Sequence, residues 1–420
     1  MEIRMNDFVT VETEVPLLEV HKFDFNWQLN HHGVLWLEGV LNPNMSWRPE
    51  ELYDSSVKIT KDKETIFNGC LTGINTVAAG NVQKIMLEAT TGSCMLDRKT
   101  DSQSFQDVES TYEDVIRTIV QSADGRVICT AGKEVTIDKP VIRYQETEWE
   151  FAIRLASYLG TYIIADIEVG KPNIWFGIRK AAEISRYSEE DYHVSIQRRE
   201  HGTGEKQMVY EVESPEFWQL GDTAVFWGET VMVFEVRAAY QRGELMFTYL
   251  LSKEKESTIM YREKFTGMEL LGTVLAVRDE QVKIAFEIDG GVSTGDYFYE
   301  WYPETGNGVY AMPEKGAKIF LTFGCADERE GFACRCLPMN VGENTTYQDR
   351  YLTTGEDNVL TLSEGQISVS AKQRHKFMLS DHSINLQTPE QLRIKAAGSV
   401  KLGAGDIYIK TLDSIEFHQG

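Results

Sequence analysis

The sequence predicts a mainly β, multidomain chain, and three observations predict it. Two stretches of alternating apolar and polar residues enclose a short helical interlude. A compact run of five short strands follows them. The last sixty residues then repeat one small unit, a strand with two apolar residues on the same face. A length of 420 residues accommodates three or so domains, and an apolar content of 42% is enough for sizeable cores.

Residues 1–95 read as strands forming a barrel or a strongly curved sheet. Val57 to Thr60 alternates, Gln83 to Ala89 runs through Ile85 and Leu87, and Val34 to Leu37 is apolar on both faces, as in a strand buried on both sides. Turn residues separate them at Asn42-Pro43-Asn44, Lys61-Asp62-Lys63 and Ala79-Gly80-Asn81. Residues 96–190 form a mixed α/β insertion with two helices. The first is expected to start at Ser110, with Glu113 completing a capping box and Gly125 just past its end. The second starts at Thr147, with Glu150 as its capping partner, and ends at Gly160. A buried strand, Thr161 to Ala165, follows.

Residues 191–260 return to strands, with a hairpin signal at Gln241-Arg242-Gly243. They resemble the first region in length and character, which points to a duplicated barrel. Lys253 to Lys264 is charged and reads as a solvated connector. Residues 267–340 contain Gly272 to Val277, Val282 to Phe286, Tyr297 to Trp301 and Ala317 to Phe323, a density of short strands that suits an OB-fold barrel. Residues 341–358 are polar and read as a linker.

Residues 359–420 carry the repeat. Its apolar pairs are Leu360/Leu362, Ile367/Val369, Phe377/Leu379, Ile384/Leu386, Leu392/Ile394, Val400/Leu402, Ile407/Ile409 and Ile415/Phe417, with starts 7, 10, 7, 8, 8, 7 and 8 residues apart. Two apolar residues per strand are too few for a core made by one chain. These sixteen residues are therefore expected on the axis of several chains wound together, as a β-helix or β-prism.

Net charge is −23, which disfavours nucleic acid and anionic membrane surfaces as partners. No stretch is apolar for long enough to span a bilayer, and Met1 to Pro16 does not read as a signal peptide. The six cysteines form no CxxC and are expected to be reduced, so that stability does not respond to a thiol reductant; Cys334 and Cys336 would share one strand face. The eight histidines form no HExxH or HxH motif. His31-His32 reads as a turn, and His375, His382 and His418 as exposed residues of the repeat, with His418 on the axis as a secondary metal candidate. Gly202-Thr203-Gly204 lacks the strand–helix context of a phosphate loop, and no cofactor is expected. Asp296 and Glu300 flank the aromatic run Tyr297-Phe298-Tyr299. This could mark a glycan site but fits a barrel wall better. No nucleophile–base pair is evident, and the expectation is a non-enzyme.

Three segments resemble the VgrG-type hub–spike proteins of contractile injection systems and the fused tail hub and cell-puncturing spike of contractile phages. Ile66 to Ile74 resembles the family's FxGxV strand pair. Leu96-Asp97-Arg98, Ser104 to Asp107 and the following helix, then Glu148 to Tyr162, resemble its hub insertion. Trp301-Tyr302-Pro303, Gly308, Met312 to Ala317 and Ile319 to Leu321 resemble its spike OB-fold. Departures are the segment Asp327 to Leu337 at the end of the OB unit and a short tail without long Val-Gly repeats. The resemblance implies two hub β-barrels, a homotrimer, and a three-fold β-helical spike adapting to a hexameric, Hcp-like tail tube. It also implies baseplate wedge proteins as neighbours and effector cargo as an option. A PAAR-like tip protein would sit on Ile415, Phe417, His418, Gln419 and Gly420, because the strand repeat runs to the last residues without a capping loop. Such a protein is made in the bacterial cytoplasm, assembled in a baseplate, and expelled to puncture a membrane transiently. Phage, tailocin and type VI secretion particles all remain open. The alternative is a trimeric tail spike that binds or cleaves cell-surface glycan.

Overall fold

The computed structural model describes residues 1–6, 8–80, 82–179, 182–184, 192–198, 206–253, 256–303, 311–337, 349–354 and 357–416. The chain is mainly β and divides into two compact units, Met1–Pro338 and Met339–Gly420.

In the first unit the two β regions are one sheet. Twelve strands run in the order Glu2–Arg4, Val9–Thr13, Ser56–Lys61, Glu64–Ala79, Val82–Thr91, Val34–Leu41, Leu17–Gln28, Glu229–Gln241, Glu244–Ser252, Lys206–Ser214 and Tyr192–Arg198, with Thr223–Phe226 beside Glu229–Gln241. The join is the antiparallel pairing of Leu17–Gln28 with Glu229–Gln241. Its register sets Phe23 opposite Tyr240, Phe25 opposite Ala238 and Trp27 opposite Val236. All six side chains are buried, so a single apolar core crosses the join, with the Phe23 and Tyr240 rings stacked at 5.5 Å. The hairpins follow their turn residues. Arg242 and Gly243, and likewise Asp62 and Lys63, take positive φ in two-residue turns whose twist matches that of the strands.

Two expectations for this sheet are corrected. Val34–Leu41 is buried on one face only: Leu35, Leu37 and Leu41 point inward, whereas Trp36 is 46% exposed. Ile66 to Ile74 is not a strand pair but the middle of one long strand, Glu64–Ala79, held between Ser56–Lys61 and Val82–Thr91. Gly69 is required there because a Cβ would meet the Thr90 carbonyl oxygen at 2.2 Å.

The insertion packs the helices Tyr112–Ser122 and Glu148–Tyr158 on the small sheet Ile163–Ala165, Ile174–Phe176 and Val127–Cys129. Thr147 caps the second helix, accepting from the Glu150 amide at 3.0 Å, and Gly160 ends it with φ +66°. The first helix is capped one residue later than expected. The Ser110 hydroxyl donates to Asp107 instead, and Thr111 forms the capping box with Asp114. Its left-handed terminal residue is Asp124, while Gly125 lies where a Cβ would meet the Pro172 carbonyl oxygen at 2.1 Å.

Residues 256–264, read as solvated, are tied down along the second helix. The Ser257 amide donates to Gly160 O (2.8 Å), the Met260 amide to Ser157 Oγ (2.9 Å), and Arg262 to the Tyr144 and Gln145 carbonyls. The polar side chains of this stretch concealed that its backbone donors have partners in the fold.

The next five strands are ordered Tyr299–Glu300, Gln281–Phe286, Glu269–Arg278, Lys318–Thr322 and Phe332–Cys336. A parallel bridge from Trp301 to Ala333, with the Tyr302 amide donating to Ala333 O at 2.9 Å, links the first and last strands and closes a small barrel. Tyr299 is buried in its core, which makes the aromatic run a barrel wall; Asp296 pairs with Lys283, and Glu300 accepts from Gln281. Cys334 and Cys336 do not share a face. Arg335 between them has φ +47°, and the ladder shifts register there, leaving Cys334 buried and Cys336 exposed.

The second unit is an antiparallel meander of Arg350–Thr353, Val359–Ser363, Gln366–Ala371, His375–Ser380 and Ile384–Gln387. Its first strand lies inside the stretch read as a linker. Among the described residues beyond Gln387 no further ladder forms within the chain, although the sequence alternates as before.

Candidate functional site

The meander register determines where the repeat's apolar residues fall. Leu362 lies opposite Ile367 and Leu360 opposite Val369; Ile367 lies opposite Leu379 and Val369 opposite Phe377; Phe377 lies opposite Leu386 and Leu379 opposite Ile384. Directly opposed residues point to the same side of a sheet, so all eight share one face. Ser368, Ser370, Lys376, Met378 and Asn385 lie on the other. None of the eight is buried by the chain itself: Leu360, Phe377 and Leu379 are half-buried, and Ile384 is 70% exposed. Leu352 extends the face onto the first strand. Leu392, Ile394, Val400, Leu402, Ile407, Ile409 and Ile415 are also exposed but join no ladder within the chain. Phe417, His418, Gln419 and Gly420 lie outside the described residues, as do Gly202 to Gly204 and Gly308.

Two polar clusters in the first unit were not foreseen. The larger surrounds Arg154, whose side chain is 4% exposed. Its Nε and Nη2 donate to the two Glu146 carboxylate oxygens (2.9 and 2.8 Å) and Nη2 also to Ile142 O (2.9 Å). Its Nη1 donates to Tyr158 Oη (2.8 Å) and to Glu328 Oε1 (2.5 Å). All five guanidinium donors are thereby used. Burial alone would lower the Arg154 pKa; Glu328 and Glu146 outweigh it and hold the pKa well above the usual arginine range. Tyr158 donates to the second Glu328 oxygen at 2.9 Å, and burial raises its pKa. Because Glu328 sits in the turn before the last barrel strand, this cluster clamps the small barrel to the insertion. Asp289 adds a second tie, accepting from the Ser104 amide (2.8 Å) and hydroxyl (2.6 Å). Nothing in sequence spacing marks Glu328 as a partner of Arg154, 174 residues away.

The smaller cluster is His32, Ser93 and Asp97. His32 Nδ1 lies 2.8 Å from Ser93 Oγ, its Nε2 lies 3.6 Å from Asp97, and its ring packs on Trp149 at 4.0 Å. Burial lowers the His32 pKa, and Asp97 only partly offsets this. The arrangement has the residues of a hydrolytic triad, but Ser93 is wholly buried and shares its hydroxyl with Thr91 at 2.9 Å. A nucleophile needs room for a substrate carbon beside it, so the cluster joins the sheet to the insertion. Among the described residues no three His, Cys, Asp or Glu side chains are grouped to hold a metal ion, and no helix is long and apolar enough to cross a membrane.

No family model and no curated protein matches the sequence. Solved structures do. The c3393 protein of E. coli, a type VI secretion system component described as structurally similar to the bacteriophage T4 tail proteins gp27 and gp5, superposes with a TM-score of 0.56 at 12% identity, over 77% of this chain and 98% of its own. A 43 kDa tail protein of prophage MuSo2 from Shewanella oneidensis covers 60% of this chain and all of its own at 9% identity, with a TM-score of 0.47. The chain thus has the hub-type fold that the sequence resemblance implies, mainly β and built of several domains.

Proposed function

We propose that this protein is the central hub and spike of a contractile injection particle, three copies forming one assembly. The observation that carries this reading is the apolar face of the C-terminal meander: eight residues in register, none buried, on a unit joined to a hub-type fold. A face of that composition on an isolated thin sheet needs cover, and identical copies supply it without exposing new edges. In this reading the sixteen residues from Leu360 to Phe417 line a three-fold axis, and strands beyond Gln387 find their ladder partners in neighbouring chains. The five-strand unit is an OB-fold collar. The twelve-stranded sheets of three copies make a pseudo-six-fold ring for an Hcp-like tube, with baseplate wedges around it. The tip carries a PAAR-like protein at Ile415 to Gly420, with effector cargo as an option. Sheath contraction drives the needle through the target envelope, and no reaction is catalysed. The protein is made in the bacterial cytoplasm and expelled with the particle.

The test is the mass in solution. Light scattering should give three times 47.8 kDa, and a stable monomer at micromolar concentration would overturn the proposal. Replacing Leu392→Asp and Ile394→Asp together puts like charges on the axis three times over. Trimer should be lost while the first unit keeps its thermal transition, since an unpaired buried charge costs several kcal/mol.

The glycan-binding alternative draws on one observation. A groove of about 450 Å³ on the large sheet is lined by Trp36 and Met86 beside Asp24, Asn75, Glu88 and the ion pair of Lys22 with Glu38. Titration with soluble peptidoglycan and polysaccharide fragments, reading tryptophan fluorescence in the native protein and Trp36→Ala, decides it; no change in either removes it.

A further inference from the structure

Cys70 and Cys94 are 24 residues apart, yet their sulfur atoms lie 3.2 Å from each other. The sheet brings them together. Cys70 lies in the long strand Glu64–Ala79, paired with Thr90 of Val82–Thr91, and Cys94 lies in the short 3-10 turn Gly92–Asp97 that follows Thr91. Both are thiols, Cys70 buried and Cys94 half-exposed. The Arg98 guanidinium, ion-paired with Asp54, stands beside them.

We infer that Cys70 and Cys94 form an oxidation-closed disulfide site, a covalent staple between the large sheet and the turn that leads into the insertion. The sulfurs need to approach by only about 1 Å to reach bonding distance, and the half-exposed position of Cys94 gives a small disulfide oxidant, such as oxidised glutathione, access to one of them. Cys94 attacks one sulfur of the oxidant and displaces its partner thiolate, forming a mixed disulfide. Cys70 then attacks the Cys94 sulfur, the Cys94–glutathione bond breaks, and the second glutathione thiolate leaves. The two protein thiols give up two protons and two electrons, and the oxidant's S–S bond takes them up as two thiols. The microenvironment favours ionisation of the pair. The hydrogen bond from the Cys94 thiol, helped by Arg98, lowers the Cys70 pKa to about 7, and the same contact raises that of Cys94. One thiol proton is therefore lost near neutrality and the remaining one is shared between the sulfurs, so that its transfer to Cys70 leaves the accessible Cys94 as the attacking thiolate. Closure is independent of the injection-particle reading.

The experiment uses the full chain with Cys325→Ser and Cys336→Ser, which removes the two exposed thiols. Purified under reductant and moved into mixtures of oxidised and reduced glutathione, it should become lighter by two hydrogens, lose two free thiols, and yield a single linked peptide pair containing Cys70 and Cys94. The closure rate should rise with pH through about 7, the range in which the pair ionises. Adding Cys70→Ser should leave a stable glutathione adduct on Cys94, and adding Cys94→Ser should leave no linked pair. Persistence of the Cys94 adduct in the protein that retains both thiols, or no loss of thiols at any glutathione ratio, would overturn the inference. Retained thermal transitions in both serine variants show that the readout comes from folded protein.

Discussion

At the residue scale the first unit depends on charges it has removed from water. Arg154 is matched donor for donor, so it fixes geometry more than it adds stability, and removing one member leaves the others buried without a partner. Arg154→Met should lower unfolding free energy by about 3–5 kcal/mol in urea titrations, whereas Arg117→Ala, an exposed pair with Glu113 in the first helix, should cost less than about 0.5 kcal/mol. Equal effects would mean the clamp does not join the barrel to the insertion. His32 makes a pH-dependent contribution. Its imidazole is held neutral in the fold, so on acidification the unfolded chain binds the proton first, below about 6.5. Stability that is present above that pH is lost as pH falls towards the depressed folded value, at up to about 1.4 kcal/mol per pH unit. His32→Gln should flatten this limb of a stability-against-pH curve; an unchanged slope would assign it to other groups.

At the element scale, local chemistry made much of the fold legible and left identifiable gaps. Thr147 and Glu150 marked their helix correctly because the Thr147 hydroxyl, while donating to Asp97, still accepts from the Glu150 amide. Ser110 misled because Asp107 captures its hydroxyl and frees Thr111 to cap instead. The stretch through Ile66 and Phe67 was expected as a strand pair from the family resemblance, whereas it is one strand in which Gly69 serves close strand approach. Gly69→Ala should therefore destabilise the first unit by about 1–3 kcal/mol in thermal or urea melts, and a neutral result would show that the Thr90 strand can give way. The repeat from Leu360 to Leu386 was legible because a period of two is unambiguous when it recurs. Its first strand, Arg350–Thr353, was hidden by polar neighbours. The Arg154–Glu328 clamp and the Cys70–Cys94 contact were not legible at all, since both depend on register between segments far apart in sequence.

At the scale of the whole molecule, charge opposes the proposed assembly. Three copies carry 3 × −23 = −69, so association works against self-repulsion that counter-ions relieve. The trimer fraction at fixed protein concentration should rise between low and moderate salt in sedimentation runs. A fall would point to ion pairs, rather than apolar cover, as what holds the copies together. The similarity to known structures extends across most of the chain at 12% identity. This is what an architecture specified by alternation, turn positions and a few close approaches permits, since many side chains satisfy each requirement.

The uncovered face of the meander also has a kinetic consequence. The first unit has its core within one chain, so its folding is a first-order event whose rate does not depend on how many copies are present. In the proposed trimer the second unit does not complete itself that way. Its final strands then wait for encounters, so maturation of the whole protein acquires a concentration-dependent step, and any copy lingering before that encounter displays an open sheet edge beside eight apolar side chains. Dilution should therefore lengthen one kinetic phase and leave the other untouched. Yield in the cell should follow the local density of nascent chains more closely than the intrinsic stability of the folded parts.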